Sequence, residues 1–322
     1  MKVVIMEGLG ISEEELAARK KPFEEQGVTF AAYPKTTDVQ VLIGEAKDAD
    51  AMILANMPMP GAVIRGCEKL RFIDVAFTGV DHVDLEAAKE KGIAVSNASG
   101  YSNEAVAELV IGTVLSLARR LRQTEDRCRT GGTKDGLIGW EIRGKTVGII
   151  GLGNIGTRSA ELFHAFGAQV LAQSRTVHTD APEYIQQVSQ EELLRRSDIV
   201  VLHCPLNDST RGMINGEKLA MMKPTALLVN VARGPVVDAR ALAQALRDGV
   251  IAGAAIDVFD REPPLDDSEP LLHAPNTLLT PHIAFASQQS MSLRAEIVFD
   301  NLKKWMEGNQ INVILDGSAA NA

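Results

Sequence analysis

The sequence predicts an α/β fold with two domains, each built on a parallel β-sheet, and a cleft between them. Short β-branched runs alternate with helical patterns along the chain, and this alternation is typical of parallel sheets with helices on both faces. The chain has 322 residues, which is more than one simple core accommodates. Two Rossmann-like or flavodoxin-like units therefore account for the length and for the order of the segments.

The first third of the chain supplies the predicted strands of one small unit. These strands cover residues 2–6, 28–33, 51–55, 70–77 and 93–98. A closing helix is predicted over 286–307, and it is assigned to this unit because the second sheet is complete without it. The first domain is therefore predicted to be discontinuous, with residues 1–98 and 286–322, and the second domain covers 99–285.

A long helix over residues 101–121 is predicted to begin the second domain, where Ser102 or Asn103 is available as its N-cap. Glu104 lies near the positive end of the dipole of this helix. A polar arm with several glycines and a lone tryptophan, Trp140, follows. The second series of predicted strands comes next and covers residues 146–151, 169–173, 198–204, 226–231, 252–259 and 277–280.

The composition narrows the possible partners and the compartment. The formal net charge of −9 argues against a nucleic-acid partner, because such proteins need a basic face. No run reaches the roughly 20 apolar residues of a membrane span, and the first apolar run is too short for a signal peptide. Three separated cysteines with no paired spacing fit a reducing compartment and give no sign of a metal site. A cytoplasmic protein without a membrane partner is therefore expected.

A glycine-rich turn follows the first strand of the second series. Gly151, Gly153 and Gly156, with Asn154 and Ile155 between the last two, form the pattern GxGxxG between an apolar run and a helix. The first glycine permits a tight turn, the second lets the backbone approach a pyrophosphate, and the third allows close packing of helix on strand. Free amide groups at the helix N-terminus can then hold the phosphates. This context favours a dinucleotide-binding turn over a merely structural one.

The end of the next predicted strand lacks the acidic residue that such a unit usually carries. In an NAD-binding unit this carboxylate bonds the ribose hydroxyls and repels a 2′-phosphate. Here Ser174, Arg175 and Thr176 occupy the place. Two hydroxyls and a guanidinium suit a phosphate monoester, so NADP(H) is the predicted cofactor. The alternative is that Arg175 is a solvated loop residue that stacks on adenine, in which case NAD(H) binds.

Three residues that suit hydride-transfer chemistry lie just past predicted strands of the second domain. Arg233, Glu262 and His282 each follow one of the last three strands, and ligands gather at the carboxyl ends of strands in open α/β sheets. An arginine can hold a carboxylate, a histidine can donate a proton near pH 7, and a carboxylate beside the histidine stabilises the charged ring. Each residue alone has an ordinary structural alternative, but the three together predict reduction of a 2-oxo acid.

Four stretches of the sequence closely resemble the D-2-hydroxyacid dehydrogenase family. They are GLGNIG, NVARGPVVD, DVFDREPP and TPHIA, in this order. The likeness extends over nearly the whole chain, and residues 77–108 resemble the family segment that joins the substrate domain to the cofactor domain. The resemblance implies an NAD(P)-dependent enzyme, with a substrate domain in the discontinuous first part and a Rossmann domain over 99–285.

The resemblance also implies roles for individual residues. Arg233 would bind the substrate carboxylate and the 2-oxo group. His282 would be the general acid in reduction and the base in oxidation, and Glu262 would hold His282 and stabilise its charged form. Main-chain amides near Thr78 and Gly79 would hold the substrate carboxylate.

Further positions would contact the cofactor or a second subunit. Asp257 would anchor the nicotinamide carboxamide. The other residues near the cofactor would be Cys204, Pro205 and Val231. Family members are typically homodimers joined through a helix and an arm that match 101–143, so Trp140 is a candidate interface residue, with a place in the core of one subunit as the alternative.

Departures from family patterns narrow the substrate. The loop after the third strand reads ANMPMPG, so Asn56 is a candidate substrate-binding residue, and the cation that phosphoglycerate dehydrogenases usually carry in this loop is absent, although Arg65 is near in sequence. Met57 and Met59 either suit a small apolar substrate or pack beneath the loop. Thr78 stands where phosphite dehydrogenases carry a lysine.

The leading prediction is reduction of glyoxylate or hydroxypyruvate with a preference for NADPH, because the Ser-Arg-Thr segment resembles that of NADP-using reductases of these acids. The alternative within enzymes is an NAD-linked D-lactate-like or D-3-phosphoglycerate dehydrogenase. A dinucleotide-sensing, corepressor-like binding protein is the alternative from another class, since fold alone does not determine function.

Overall fold

The computed structural model describes residues 1–317, and these pack as two compact units. The first unit comprises Met1–Ser102 and the described residues from Ala286 on, and the second comprises Asn103–Phe285. Each unit is built on one sheet whose strands are mainly parallel, with helices between the strands. The predicted α/β class with two parallel-sheet domains is therefore confirmed.

The first stretch of the first unit alternates strands with helices. Its elements are β1 (Lys2–Ile5), α1 (Glu13–Glu24), β2 (Thr29–Ala32), α2 (Val39–Ala46), β3 (Ala51–Leu54), α3 (Gly61–Gly66), β4 (Phe72–Val75), α4 (Leu85–Glu90) and β5 (Ala94–Asn97). The side chains of Ser12, Asp38 and Asp84 accept main-chain N–H bonds at the starts of α1, α2 and α4. These N-caps explain why the three helices begin at those positions.

The second unit begins with two helices and continues with its own series of strands. Its elements are α5 (Asn103–Ala118), α6 (Leu121–Arg129), β6 (Thr146–Ile150), α7 (Asn154–Ala165), β7 (Gln169–Gln173), β8 (Ile185–Gln187), α8 (Gln190–Arg196), β9 (Ile199–Leu202), α9 (Gly216–Ala220), β10 (Leu227–Asn230), a 3₁₀ turn (Gly234–Val236), α10 (Ala239–Arg247), β11 (Gly253–Ile256), a second 3₁₀ turn (Pro270–His273) and β12 (Thr277–Leu279). Ser189, Asn215 and Asp238 cap α8, α9 and α10.

The chain then returns to the first unit with α11 (Gln288–Met306) and β13 (Val313–Leu315). On α11, the ring of Trp305 stacks on Phe72 of β4 at a centroid distance of 4.8 Å. Asn301 donates a hydrogen bond of 2.9 Å to the buried carboxylate of Asp74, also on β4. α11 thus covers the first sheet with both apolar and polar contacts.

The two sheets have different strand orders. The first runs β13-β5-β4-β3-β1-β2, and it is parallel except for β13, which pairs antiparallel with β5. The second runs β12-β11-β10-β9-β6-β7-β8 and is parallel throughout. The chain reverses its direction of progress between β1 and β3 in the first sheet and between β6 and β9 in the second. Such reversal points are where ligands bind in open α/β sheets.

The predicted strands are all present, most of them one to three residues shorter than the sequence suggests. Several elements of the described chain were not predicted, among them β8, β13 and α6. β8 and β13 have three residues each, which is too short for a periodic signal. α6 lies in the polar arm and buries none of its residues. Its sequence therefore lacks the apolar stripe by which an amphipathic helix is recognised.

Two negative observations apply to residues 1–317. None of the helices there combines the length and the apolar character that a bilayer-crossing helix needs. Within the same residues, no three His, Cys, Asp or Glu side chains are grouped so as to hold a metal ion.

Candidate active site

The carboxyl edge of the second sheet carries most of the candidate residues. β12, β11, β10, β9 and β6 are consecutive neighbours in this sheet, so the chain leaves all five at one edge. The glycine turn follows β6, Cys204 follows β9, and Arg233, Glu262 and His282 follow β10, β11 and β12. The topology therefore gathers side chains that are far apart in the sequence.

The glycine turn after β6 is shaped by close backbone contacts. Gly151 has φ +100°, a conformation that L side chains rarely adopt, and a Cβ there would lie 2.7 Å from the Cys204 nitrogen. Its N–H donates to the Gln173 carbonyl at 2.8 Å, which ties the turn to the end of β7. A Cβ on Gly156 would overlap the Gly151 carbonyl oxygen. Both positions therefore require glycine for steric reasons.

The same turn leaves room where a pyrophosphate would bind. Gly153 is the N-cap of α7 and provides no side-chain cap, so the first amides of this helix, from Asn154 and Ile155 on, are open to a ligand. A Cβ on Gly153 would meet no atom within 4 Å. An open space in front of uncapped amides fits the diphosphate of a dinucleotide.

The end of β7 carries no carboxylate. Ser174 donates a hydrogen bond of 2.6 Å to the Thr176 carbonyl, which closes a tight turn. Arg175 and Thr176 are exposed, and Arg175 forms no ion pair with residues 1–317. An uncommitted guanidinium therefore stands beside two hydroxyl groups at this strand end.

His282 and Glu262 form a hydrogen-bonded pair. His282 Nδ1 lies 2.9 Å from Glu262 Oε2, and the imidazole side chain is 12% exposed while the glutamate is 44% exposed. A carboxylate on Nδ1 sets the ring orientation and leaves Nε2 as the atom that can exchange a proton with a ligand. The ring of Phe285 meets the imidazole edge-on at 5.5 Å and adds packing.

The backbone at His282 is unusual and is held by Asp257. His282 has φ +55°, in the left-handed region, and its N–H donates to the Asp257 carbonyl at 2.8 Å. The Asp257 carboxylate accepts hydrogen bonds from Thr280 Oγ1 at 2.5 Å and from the amides of Ile283 and Ala284 at 2.9 and 2.8 Å. Asp257 therefore accepts hydrogen bonds from residues on both sides of His282 and fixes the turn that carries it. Its expected contact with a nicotinamide stays a prediction.

Burial has the largest influence on the Asp257 carboxylate. The residue is 2% exposed, and burial raises its pKa more than the hydrogen bonds from Thr280, Ile283 and Ala284 lower it. The net pKa is therefore above its usual value, because these hydrogen bonds and the smaller charge interaction with His282 do not balance the loss of water.

Arg233 is presented by a short loop that Asn230 closes. Asn230 is buried at the end of β10, and its side chain donates to the Arg233 carbonyl at 3.0 Å while accepting from the Ala232 amide at 3.1 Å. Arg233 Nη1 donates to the Ala232 carbonyl at 2.8 Å. Gly234 follows in close contact with the Phe259 backbone, where a Cβ would overlap main-chain atoms. Sequence reasoning missed Asn230, although its place at a strand end next to Arg233 is a usable signal.

The predicted cofactor-lining residues differ in their environment. Cys204 is buried, and burial raises the pKa of its thiol to about 11, so the thiol stays neutral. Pro205 is exposed and accepts a hydrogen bond of 2.7 Å from Thr210 Oγ1, and Val231 is half-buried. His203, which sequence reasoning did not select, has a buried Nε2 that makes no hydrogen bond within the described chain. Burial lowers the His203 pKa to about 3, so this ring is neutral.

The first unit contains the other three candidates. Thr78 and Gly79 follow β4 and are half-buried, and the Thr78 carbonyl accepts a hydrogen bond of 2.7 Å from Asn97 Nδ2. Asn97 ends β5, so two neighbouring strand ends fix this loop. Sequence reasoning did not single out Asn97.

Asn56 lies in the loop after β3 and is half-buried. Met57 and Met59 are fully buried, so they pack beneath the loop rather than forming its surface. Arg65 is held in an ion pair with Glu90 at 2.8 Å and does not supply this loop with a cation.

Comparisons with known proteins agree with this geometry. Residues 111–284 match the family model described as D-isomer specific 2-hydroxyacid dehydrogenase, NAD binding domain. A glyoxylate reductase of Aeropyrum pernix is 38% identical over 280 residues, which cover 84% of this chain and 83% of the relative. A hydroxypyruvate reductase of Blautia hydrogenotrophica is 33% identical over 326 residues, with 98% and 99% of the two chains covered.

The chain belongs to the D-2-hydroxyacid dehydrogenase family. Its structure is also similar to that of an acyclic imino acid reductase in complex with NADPH and D-Arg, with a TM-score of 0.89, 28% identity, and 98% and 100% of the two chains covered. The family resemblance predicted from the motifs is thereby confirmed. The protein is an NAD(P)-dependent oxidoreductase that acts on 2-hydroxy or 2-oxo acids.

In this dehydrogenase the glycine turn and the pair of His282 and Glu262 lie in the part of the chain that the family model matches. The substrate-side candidates Asn56, Thr78 and Gly79 lie outside it. The roles of individual residues therefore rest on their own geometry.

Proposed function

We propose that this dehydrogenase reduces glyoxylate or hydroxypyruvate to the corresponding 2-hydroxy acid and prefers NADPH to NADH. The observation that carries the proposal is the 2.9 Å hydrogen bond between His282 Nδ1 and Glu262 Oε2 at the carboxyl edge of the second sheet. It gives an imidazole that is oriented for proton transfer. The named relatives, a glyoxylate reductase and a hydroxypyruvate reductase, support the choice of acids.

His282 is the general acid of the proposed reduction. Glu262 accepts a hydrogen bond from the Nδ1–H group and stabilises the imidazolium, so Nε2 can deliver its proton to the 2-oxo oxygen. The bond between hydrogen and Nε2 breaks as the hydroxyl forms, and the neutral ring regains a proton from solvent. In the reverse direction the neutral ring accepts the hydroxyl proton.

Arg233 holds the substrate in the proposal. Its planar guanidinium can bond a carboxylate through two N–H groups, which sets the direction of the carbonyl. The Asn230 side chain fixes the backbone on both sides of this loop and so limits the positions that the guanidinium can reach. Main-chain amides near Thr78 and Gly79 provide further donors for the carboxylate.

The glycine turn and the end of β7 fit the proposed cofactor. Gly153 and the uncapped start of α7 would hold the diphosphate, and Asp257, Cys204, Pro205 and Val231 are the positions proposed near the nicotinamide. When bound, the reduced nicotinamide supplies the hydride for the 2-oxo carbon. Ser174, Arg175 and Thr176 support an NADPH preference, because a guanidinium attracts a 2′-phosphate and no carboxylate repels it.

The activity is tested by initial rates of NADPH oxidation with glyoxylate, hydroxypyruvate, pyruvate, a branched 2-oxo acid and 3-phosphohydroxypyruvate. We expect the highest kcat/KM with glyoxylate or hydroxypyruvate. Preference for pyruvate or for the phosphorylated acid would instead indicate a D-lactate-like or a D-3-phosphoglycerate dehydrogenase.

The cofactor preference is tested with Arg175→Ala. This variant should raise the dissociation constant for NADPH by about tenfold or more, the worth of one charge-assisted contact, and leave that for NADH nearly unchanged. Arg195→Ala is the matched control, because Arg195 is an exposed arginine in the last turn of α8. Equal losses for the two dinucleotides would contradict the proposed 2′-phosphate contact.

We also propose that the enzyme is a homodimer joined through α5 and the arm that follows it, residues 101–143. Two large apolar side chains of this arm are exposed, Ile138 at 83% and Leu121 at 51%. Trp140 is half-buried beside them, and Lys145 lies over its ring at 5.2 Å. Ile138→Asp should convert a dimer to a monomer in light-scattering measurements, and a monomeric unmodified protein would exclude the dimer.

A further inference from the structure

A mostly buried carboxylate in the first unit plays no part in the proposed proton or hydride transfer. Glu7 lies two residues past the end of β1, and 12% of its side chain is exposed. Its Oε2 accepts hydrogen bonds from the main-chain amides of Ala55, Asn56 and Met57 at 3.1, 2.8 and 2.9 Å. One oxygen atom therefore holds three successive amides of the loop that follows β3.

A lysine from a third strand end completes this arrangement. Lys35 follows β2, and its Nζ lies 2.7 Å from Glu7 Oε1 and 3.3 Å from Asn56 Oδ1. The strand order β3-β1-β2 brings the three side chains together, although 49 residues separate Glu7 from Asn56. The loop itself contains no cation, as the sequence indicates, but Lys35 reaches it from another strand end.

The charge of Glu7 is stabilised in place. Burial is the largest single influence and raises the pKa of the carboxyl group. The hydrogen bonds from Lys35 and from the amides of Met57 and Asn56 together outweigh burial, so the pKa is lowered overall. Glu7 is thus ionised at neutral pH, and its charge is matched by that of Lys35.

The lysine also sets the direction of the Asn56 side-chain amide. A carboxamide has one acceptor oxygen and one NH₂ group with two donors. Because the ammonium group of Lys35 can only donate, it selects the orientation in which Asn56 Oδ1 faces Lys35. The NH₂ group then faces away from Lys35, and it makes no hydrogen bond within residues 1–317.

We propose that Glu7 and Lys35 position Asn56 as the residue that selects the side chain of the substrate, in favour of 2-oxo acids that carry a hydrogen-bond acceptor on C3. The inference rests on the proposed function, in which Asn56 belongs to the substrate-binding loop. Hydroxypyruvate has a hydroxyl oxygen on C3 that can accept from the NH₂ group. Pyruvate has a methyl group there, which would leave the donor without a partner, and glyoxylate has no C3.

The ion pair with Glu7 also reduces the ability of Lys35 to bind a substrate anion. Its charge is balanced by a carboxylate at 2.7 Å, so it orients Asn56 and does not serve as a free cation for a substrate anion. The proposal therefore gives the substrate side chain a neutral donor and no free cation. It assigns a donor to the substrate side chain from a loop that carries no charged residue of its own.

The test is the ratio of kcat/KM for hydroxypyruvate to kcat/KM for pyruvate, measured with NADPH for the unmodified enzyme and four variants. Asn56→Ala and Lys35→Met should lower this ratio about five- to tenfold, the worth of one hydrogen bond, mainly through KM for hydroxypyruvate. Glu7→Gln keeps an oxygen for the amides but frees Lys35, so it should lower the ratio by a smaller factor.

Lys2→Met is the matched control. Lys2 forms a similar ion pair, with Asp48 at 2.6 Å, but it lies at the other end of β1. This variant should leave the ratio unchanged. Hydrogen exchange at the amides of Ala55, Asn56 and Met57 provides a second readout, and Glu7→Ala should accelerate exchange at all three.

Failure of the inference can be distinguished from failure of the proposed function. A ratio that does not change in Asn56→Ala, or equal losses with both acids in every variant, would overturn the inference and leave the proposed function standing. A preference for 3-phosphohydroxypyruvate that Lys35→Met abolishes would also overturn it, because Lys35 would then bind the substrate directly. Absence of turnover by the unmodified enzyme with every 2-oxo acid would overturn the proposed function first, and the inference with it.

Discussion

Two loops in different units of this dehydrogenase are organised by the same device. In the first unit Glu7 accepts three main-chain amide bonds from the loop that carries Asn56. In the second unit Asp257 accepts two amide bonds and one hydroxyl bond from the turn that carries His282. In both cases a carboxylate from a neighbouring strand end fixes the backbone of a residue that is proposed to contact the substrate.

The two carboxylates nevertheless differ in the net direction of their pKa shifts, although burial raises the pKa of both. The ammonium group of Lys35 hydrogen-bonds Glu7, and the pKa of Glu7 is lowered. Asp257 has the hydrogen bonds of its turn and only a weaker charge interaction with His282, and its pKa is raised. Asp257 thus depends on the hydrogen bonds of its own turn to hold a charge. The comparison indicates that two amide bonds and a hydroxyl bond do not offset the burial of Asp257, while amide bonds together with an ammonium group offset the burial of Glu7.

The largest effect is expected from removing the group that the Asp257 turn positions. His282→Ala should lower kcat by about 10²- to 10⁴-fold, because the general acid is lost, while the dissociation constant for NADPH stays close to that of the unmodified enzyme. Stopped-flow rates and fluorescence titration measure the two quantities. A variant that retains near-normal turnover would show that another group donates the proton. The turn held by Asp257 would then not position a catalytic residue.

The next largest effect is expected from replacing the carboxylates of Asp257 and Glu7. Asp257→Asn should lower kcat by about 10- to 100-fold, because an amide cannot accept the bonds of both oxygens and the imidazole is displaced. Glu7→Gln should change kcat by less than about threefold and act mainly on KM, because Glu7 is proposed to shape binding rather than proton transfer. Similar kcat losses in both variants would mean that the two loops do not have the separate roles assigned to them.

The pH dependence of stability should separate the two carboxylates further. Glu7 has a lowered pKa, so its stabilising contribution is present above the pKa of the unfolded chain and is lost as pH falls through the folded-state pKa. Asp257 has a raised pKa, so its burial costs stability as pH rises above the unfolded value. As pH falls from 7 to below the folded-state pKa of Glu7, the advantage of the native residue over its amide variant should shrink for Glu7→Gln and grow for Asp257→Asn.

Urea unfolding can follow each unit separately. The chain has two tryptophans, Trp140 in the second unit and Trp305 in the first. Glu7→Gln is therefore measured in a Trp140→Phe background and Asp257→Asn in a Trp305→Phe background. Shifts of the same sign for both variants on acidification would contradict the opposite pKa directions.

The smallest effect is expected at Asp74, a buried carboxylate with no assigned role in the reaction. Burial raises its pKa well above the usual value, and the Asn301 amide offsets burial only in part. Because the folded protein must keep Asp74 protonated or bear the cost of the buried charge, Asp74→Asn should raise the urea midpoint of the first unit at pH 8. The gain should disappear near pH 4. A lower midpoint at pH 8 would show that the charged form is stabilised in the fold.

Much of the fold could be predicted because its signals are local. Strands such as β3 and β9 are buried at every residue, so they read as short apolar runs. The glycine turn has steric requirements at Gly151 and Gly156 that any sequence with this geometry must meet. The strand-end positions of Arg233, Glu262 and His282 follow from the strands themselves.

The residues that sequence reasoning missed act through distant contacts. Lys35 and Glu7 belong to different strand ends, and only the strand order of the first sheet shows that both meet Asn56. Asn97 and Asn230 were overlooked because a single asparagine at a strand end has no periodic or spacing signal. Such residues can be found from a sequence only when the order of the strands in the sheet is already known.

The position of α11 has a consequence for how the chain is made. This helix supplies Trp305 to stack on Phe72 and Asn301 to bond Asp74, yet it is translated after the whole second unit. The part of the first sheet that α11 contacts therefore stays uncovered until the second unit has been made. The second unit is continuous in sequence and can fold as soon as it emerges from the ribosome. Chaperones that act during synthesis should accordingly bind mainly the strands of the first unit, even though these strands leave the ribosome before the second unit.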